Sequence, residues 1–122
     1  MRTTILTAVL LSTLALPVQA QVYPVEGKWG QSASGEKGPI DCSDSKRVID
    51  FNGSQRTDSN GGAPAYRNKS VVANGPSSYR VVDEFSTGQI SAGESQYTLR
   101  QVDPNRIEMN SSGGTTTLQR CK

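Results

Sequence analysis

The chain has no histidine, only two cysteines and a single tryptophan among its 122 residues. Histidine is the commonest general base and the usual partner of a serine or cysteine nucleophile, so its absence removes the most frequent catalytic arrangements. It also removes a common zinc ligand, and two isolated cysteines do not make a zinc site. No serine stands in a Gly-x-Ser-x-Gly motif. We therefore expect no catalytic, metal or cofactor-binding residues and interpret the chain as a non-enzymatic protein.

The chain also lacks a strong excess of charge of either sign, with 13 Lys and Arg against 11 Asp and Glu. The longest basic run is the pair Lys46-Arg47. Such scattered charge gives no electrostatic footprint for nucleic acid or for an anionic membrane. No stretch after residue 20 approaches the roughly 20 apolar residues that a membrane span needs. We expect a monomer whose partner is a small ligand or a protein.

The N-terminal segment has the pattern of a bacterial-type signal peptide. Arg2 provides a positive start, the apolar run Ile5–Leu16 follows, and small residues lead up to Ala20. This order of charge, apolar core and cleavage site is typical of a secretory signal. The sequence therefore predicts a signal peptide at residues 1–20, a mature chain that begins at Gln21, and a periplasmic or secreted location.

The two cysteines, Cys42 and Cys121, both lie in the exported part of the chain. Exported proteins fold in an oxidising compartment, where an even number of cysteines favours disulfides. We predict one disulfide between them. A bridge that closes a loop of about 80 residues stabilises the fold by on the order of 4.5 kcal/mol in the chain-entropy model.

Residues 21–122 are predicted to form one all-β domain. Pairs such as Asn60-Gly61 and Gly113-Gly114 favour the positive φ values of tight hairpins, and runs of β-branched and aromatic residues lie between them. Strands are predicted at Val25–Gln31, Lys46–Phe51, Ala65–Val72, Ser78–Phe85, Gln96–Val102, Arg106–Met109 and Thr115–Arg120, with a further one at Gln55–Asp58. Seven or eight strands without helices indicate a small antiparallel meander barrel, with a compact sandwich as the alternative.

Alternation of apolar and polar residues supports strands with one buried face, and Asp83 interrupts this pattern. Tyr79, Val81 and Phe85 share a strand face with this carboxylate. One interpretation places Asp83 at a strand edge or bulge, where it reaches water. The other places it inside the barrel, either paired with Arg120 or facing a ligand, because an unpartnered buried carboxylate costs several kcal/mol.

Two features of the predicted barrel carry a family resemblance. Gly27-Lys28-Trp29 places a Gly-x-Trp motif on the first strand, and Arg120 lies on the last strand, next to Cys121. This pattern resembles that of the calycins, the group that includes the lipocalins. The resemblance implies that Trp29 closes one end of a barrel, that Arg120 packs across its ring, and that the barrel binds a small ligand in its interior.

The same Gly-x-Trp motif, followed by Cys42, is also similar to small periplasmic metalloprotease inhibitors, which are eight-stranded barrels. Three functions therefore stay open for an exported binding protein of unknown specificity. The first is small-ligand binding inside a calycin-like barrel. The second is an inhibitor or protein-interaction module that uses loops at a barrel end or the segment Gln21–Pro24. The third is an envelope structural protein. An empty, apolar interior would favour the first over the second.

Overall fold

The structure is a computed structural model that describes residues 22–32 and 37–122. The predicted signal peptide, residues 1–20, and the predicted first mature residue, Gln21, lie outside the described residues. Within the two described ranges, no helix is long and apolar enough to cross a membrane.

The predicted barrel is present, with eight strands joined in chain order into a closed antiparallel meander. The strands are β1 (Gly27–Gln31), β2 (Val48–Asn52), β3 (Gln55–Asp58), β4 (Tyr66–Gly75), β5 (Ser78–Phe85), β6 (Gly93–Asp103), β7 (Arg106–Ser111) and β8 (Gly114–Arg120). The barrel closes because β1 pairs with β8. This closure confirms the barrel over the sandwich alternative.

The strand bounds match the predictions most closely at β3 and β5 and differ most at β4 and β6. Strand β4 was predicted to end at Val72, because Asn and Gly disfavour strands. It continues to Gly75, which pairs with Ser78 of β5 across a register shift. Hydrogen bonding to a neighbouring strand therefore outweighs local propensity here.

Trp29 and Arg120 are direct cross-strand partners where β1 meets β8. Trp29 is fully buried, and the Arg120 guanidinium carbon lies 4.4 Å from its ring centroid, as the sequence predicted. The same guanidinium donates to the Pro104 carbonyl oxygen at 3.0 Å and to the Glu26 carbonyl oxygen at 3.4 Å. Arg120 thus joins the N-terminal segment to the β6–β7 turn across this end of the barrel.

Strand β1 begins two residues later than predicted because Gly27 interrupts the extended backbone. Its φ of 87° lies in the left-handed region that favours glycine. A Cβ there would meet the Arg120 guanidinium at an ordinary 3.8 Å, so the backbone conformation, and not a close contact, requires glycine.

The residues before Gly27 cross the same end of the barrel and insert side chains into it. The Tyr23 backbone N–H donates to the Gly53 carbonyl oxygen at 3.0 Å. The Tyr23 ring packs edge-on against Phe51, with centroids 5.0 Å apart, and Val25 is buried in the same core. The N-terminal segment is therefore part of the folded domain.

The predicted disulfide between Cys42 and Cys121 is present, with Cα atoms 5.5 Å apart. It fixes the segment around Ile40 against the end of β8, where the Ile40 N–H donates to the Arg120 carbonyl oxygen at 2.8 Å. Gly30 makes room for the bridge, since a Cβ there would lie 2.5 Å from the Cys42 sulfur.

Candidate functional site

The centre of the barrel holds a polar cluster instead of an empty space. Asp83 on β5 is fully buried, and its carboxylate accepts four hydrogen bonds from side chains. The donors are Tyr23 at 2.9 Å, Arg56 at 2.5 Å, Asn68 at 3.2 Å and Tyr97 at 2.9 Å. We call these five residues the Asp83 cluster. It gives the buried carboxylate the partners that burial requires.

The structure confirms the interpretation that places Asp83 inside the barrel, but with a different ionic partner. Asp83 does not reach water at a strand edge, and it does not pair with Arg120. Its ionic partner is Arg56, because Arg56 and Asp83 both face inward, on β3 and β5. The guanidinium also lies 3.9 Å from the Tyr66 ring centroid and 5.2 Å from that of Tyr97. Aromatic faces thus supply part of its stabilisation.

A second buried carboxylate, Asp58, continues the polar cluster toward the end of β3. Arg47 donates to both of its oxygens, and Arg56 donates to it at 3.3 Å. Burial alone would raise the pKa of Asp58. The hydrogen bonds from Arg47 and the Asn60 N–H, together with the nearby positive charges, outweigh this effect and hold the pKa below its usual value. Asp58 is therefore ionised and balances the buried cations.

The phenols of the Asp83 cluster stay protonated. Burial is the largest cause that raises the pKa of Tyr23 and of Tyr97, and the adjacent Asp83 charge raises both further. For Tyr97 the Arg56 charge opposes the rise without reversing it. Both side chains therefore act as fixed hydrogen-bond donors to Asp83, which makes the cluster a structural support.

Apolar side chains occupy the barrel interior together with the Asp83 cluster. They are buried together and come from the N-terminal segment and from β1, β2, β5, β6, β7 and β8: Tyr23, Val25, Trp29, Ile49, Phe51, Val81, Tyr97, Leu99, Ile107, Met109 and Leu118. The interior that the calycin resemblance offered to a ligand is thus occupied by the chain's own side chains.

An open groove of about 590 Å³ lies where β4, β5 and β6 meet the loops at one end of the barrel. We call it the mouth groove. Its lining residues come from β3 to β6 and from the loops between them: Gln55, Ala65, Tyr66, Arg67, Glu84, Phe85, Ser86, Ser91, Ala92, Gly93 and Glu94. It lies at the start of β6, whereas Arg120 reaches the turn that follows the end of β6.

Two aromatic side chains form the apolar part of the mouth groove. The rings of Tyr66 and Phe85 pack at a tilt, with centroids 5.3 Å apart. Phe85 lies across its cross-strand partner Gly93, where a Cβ would come within 2.5 Å of the ring. Tyr66 similarly lies against Gly61, where a Cβ would be 2.7 Å from its hydroxyl. Glycines therefore set the position of both rings.

A row of polar side chains borders the mouth groove on the outer face of the sheet, because each of them is the strand neighbour of an inward-facing residue such as Arg56 or Tyr66. Gln55, Arg67, Glu84 and Glu94 are successive cross-strand partners on β3, β4, β5 and β6. Glu84 and Glu94 lie directly opposite each other, an arrangement that destabilises a sheet unless cations compensate. Arg67 pairs with Glu84 at 3.4 Å, and Lys69 pairs with Glu94 at 2.5 Å. These two cations compensate the two carboxylates on the sheet surface, although Lys69 does not line the mouth groove.

The loop at residues 86–92, which forms one wall of the mouth groove, is held by its own hydrogen bonds. The Thr87 hydroxyl accepts from the N–H groups of Gln89 and Ile90, and the Thr87 N–H donates to the Ile90 carbonyl oxygen at 2.8 Å. The wall therefore has a defined shape.

The residues that the sequence analysis selected and those that form the mouth groove are different sets. Gly27, Trp29, Arg120 and the two cysteines stabilise the barrel. Arg56 and the mouth groove were not predicted from the sequence. A signal for Arg56 was present, because it shares a strand face with Asp58 two residues later. The groove had no comparable signal, since four strands contribute to it.

Comparison with known proteins finds no family model, no curated protein and no solved structure that matches this chain.

Proposed function

We propose that this protein is an exported, non-enzymatic binding protein that takes a small ligand in the mouth groove. The observation that carries the proposal is the groove itself: about 590 Å³, lined by the Tyr66–Phe85 pair and by several polar side chains. Sites for small molecules usually measure about 300–1,000 Å³ and combine apolar surface with a few fixed polar groups.

The proposed site differs from the one that the calycin resemblance implies. A calycin-type ligand would enter the barrel interior, but buried residues such as Val81 and Leu99 and the Asp83 cluster occupy that space. We therefore retain small-ligand binding from the calycin hypothesis and move it from the interior to the end of the barrel.

Export to the periplasm or the outside of the cell is the proposed location. Its support is the signal pattern over residues 1–20 together with the Cys42–Cys121 disulfide, since structural disulfides form in oxidising compartments. Mass measurement of the protein isolated from the cell envelope or medium should give a chain that begins at Gln21. An intact N-terminus that retains Met1 would contradict this part of the proposal.

The binding site can be tested with the fluorescent aromatic sulfonate ANS as a probe. In a titration of ¹⁵N-labelled protein followed by NMR, we expect shifts confined to amides near Tyr66, Phe85 and Gly93. Phe85→Ala should weaken the affinity for ANS by about tenfold, because it removes a large part of the apolar surface. Val72→Ala is the matched control, since Val72 is 58% exposed on β4 and lies outside the groove.

Two outcomes of this titration would overturn the proposal. If the shifts map to interior amides such as those of Val81 and Leu99, the ligand enters the barrel. If Phe85→Ala and Val72→Ala behave alike, the mouth groove is not the site.

A second candidate, an inhibitor or protein-interaction module, is favoured by Ile90. This side chain is 46% exposed on the loop that forms one groove wall. An exposed apolar residue beside a polar rim is typical of the centre of a protein interface. Ile90→Asp should then abolish capture of a protein partner from envelope extracts while leaving ANS binding in place.

A further inference from the structure

The turn between β2 and β3 carries one of three Asn-Gly pairs in the chain, at Asn52-Gly53. We propose that Asn52 is a modification site, which deamidates spontaneously to isoaspartate and thereby loosens the N-terminal segment on the barrel. The reacting groups are the side-chain amide of Asn52 and the backbone nitrogen of Gly53. Neither residue lines the mouth groove, so the modification does not depend on the proposed ligand.

The modification proceeds through a five-membered succinimide ring. The Gly53 nitrogen loses its proton to hydroxide and attacks the Cγ carbon of Asn52, and the bond from Cγ to the side-chain nitrogen breaks, which releases ammonia. Water then opens the ring at either of its two carbonyl carbons. One product is aspartate, and the other is isoaspartate, whose main chain runs through the side-chain carbons. A following glycine favours the attack because no Cβ crowds its nitrogen.

The structure leaves both reacting groups of this turn accessible. The Asn52 side chain is exposed. Among residues 22–32 and 37–122, no acceptor bonds to the Gly53 N–H. A Cβ placed on Gly53 would meet no atom within 4 Å. The peptide between the two residues therefore has room to rotate toward the side-chain amide.

The other two Asn-Gly pairs are held by their surroundings. The Gly61 N–H, which follows Asn60, donates to the Asp58 carbonyl oxygen at 3.0 Å, so its nitrogen is occupied. Gly75, which follows Asn74, lies within β4, where pairing with β5 fixes its backbone. One hydrogen bond contributes about 1 kcal/mol net, which corresponds to about a fivefold change in rate. We therefore expect Asn52 to react about fivefold faster than the other two asparagines.

The carbonyl groups that follow Asn52 anchor two other parts of the barrel. The Gly53 oxygen accepts from the Tyr23 N–H at 3.0 Å, and the Ser54 oxygen accepts from the Asn68 N–H at 2.8 Å. Isoaspartate adds one carbon atom to the main chain of this two-residue turn, whose backbone twist must match that of its strands. Both hydrogen bonds should therefore weaken, and the first of them holds the N-terminal segment.

Ageing of the purified mature protein in mildly alkaline buffer tests the site. Protein isoaspartyl methyltransferase with labelled S-adenosylmethionine measures the isoaspartate formed, and peptide mapping by mass spectrometry locates it. We expect the label to fall by about fivefold in Asn52→Gln, because glutamine would have to form a six-membered ring, which closes more slowly. Asn60→Gln is the matched control, since Asn60 also precedes a glycine in an exposed turn, and it should keep the wild-type label.

Two further measurements connect the reaction to the fold. In urea, where the chain is unfolded, the three Asn-Gly pairs should react at rates within about twofold of one another, because the hydrogen bonds that distinguish them are lost. In native buffer, the Tyr23 amide should exchange its hydrogen about tenfold faster in aged wild-type protein than in aged Asn52→Gln, since local opening controls exchange.

Three results would overturn the inference. Isoaspartate that accumulates first at Asn60 or Asn74 would show that the β2–β3 turn is not the reactive site. The same order of rates in urea as in native buffer would show that local sequence, and not the fold, sets the reactivity. Equal exchange of the Tyr23 amide in the two aged proteins would show that the modification leaves the N-terminal segment in place.

Discussion

Arg56 and Asp83 form a buried ion pair that crosses the barrel interior behind β4, with Nε and Oδ2 2.5 Å apart. The two residues lie on β3 and β5, which are not neighbours in the sheet. Among the described residues, the β3–β4 ladder consists of two residue pairs, Gln55 with Arg67 and Arg56 with Tyr66. The ion pair therefore connects the part of the barrel that has the shortest ladder.

Asp83→Asn should destabilise the protein by about 3–5 kcal/mol, because it leaves the Arg56 charge buried next to a neutral group. Arg56→Met removes the cation and leaves the Asp83 carboxylate buried without its ionic partner. It should therefore lower the free energy of unfolding by a similar amount. The double variant should cost less than the sum of the two, since the residues share one interaction. Urea unfolding of the four proteins measures this coupling. Additive effects would show that the pair does not act as a unit.

The pH dependence at the alkaline end should reflect the Asp83 cluster. The pKa of Tyr23 and of Tyr97 is raised in the folded state, so both phenols keep their protons where an unfolded tyrosine loses its own. Their contribution to stability is fully present below the ordinary tyrosine pKa of about 10 and is lost as the pH rises above it. Stability should therefore fall with pH above about 10.

NMR of ¹³Cζ-labelled tyrosine resolves each phenol in such a titration. We expect the Tyr23 and Tyr97 signals to keep their protonated positions until the barrel unfolds. In Tyr97→Phe the alkaline loss of stability should be shallower. Ionisation of either phenol in the folded protein near pH 10 would contradict the burial of this cluster.

The Trp29–Arg120 contact predicts a second coupled pair. Trp29→Ala should cost about 3–5 kcal/mol, because it removes a fully buried indole. Arg120→Ala should cost less, since it loses a cation–π contact and hydrogen bonds to backbone carbonyls at a partly exposed position. Thermal unfolding should show that the two losses are not additive, whereas Arg100→Ala on the outer surface should add independently to Trp29→Ala.

Residues that follow a periodic pattern or a covalent rule could be placed from the sequence. Side chains alternate between the two faces of a strand, and this alternation directs both Trp29 and Arg120 inward. The two residues contact each other because β1 and β8 pair to close the barrel. The two cysteines were placed by the oxidising compartment that the signal pattern implies. The first argument uses only the two strands that close the barrel, and the second uses only the redox state of the compartment. Neither depends on how the other strands are arranged.

The partner of Asp83 could not be placed in this way. Arg56 is 27 residues away on a strand that is not its neighbour, so the pairing depends on barrel curvature and on the register of β3, β4 and β5. The mouth groove depends on the same registers and on a loop held by Thr87. These features arise from the whole barrel, and no single segment contains them.

Gly93→Ala tests most directly whether binding depends on the mouth groove. A Cβ at this position would lie between 2.5 and 3.0 Å from three atoms of the Phe85 ring, so the ring must move out of its place in the groove. Isothermal titration of ANS into the wild-type protein and this variant gives the comparison. We predict at least tenfold weaker binding by Gly93→Ala, with the interior amide spectrum preserved. Equal affinity in the two proteins would contradict the account.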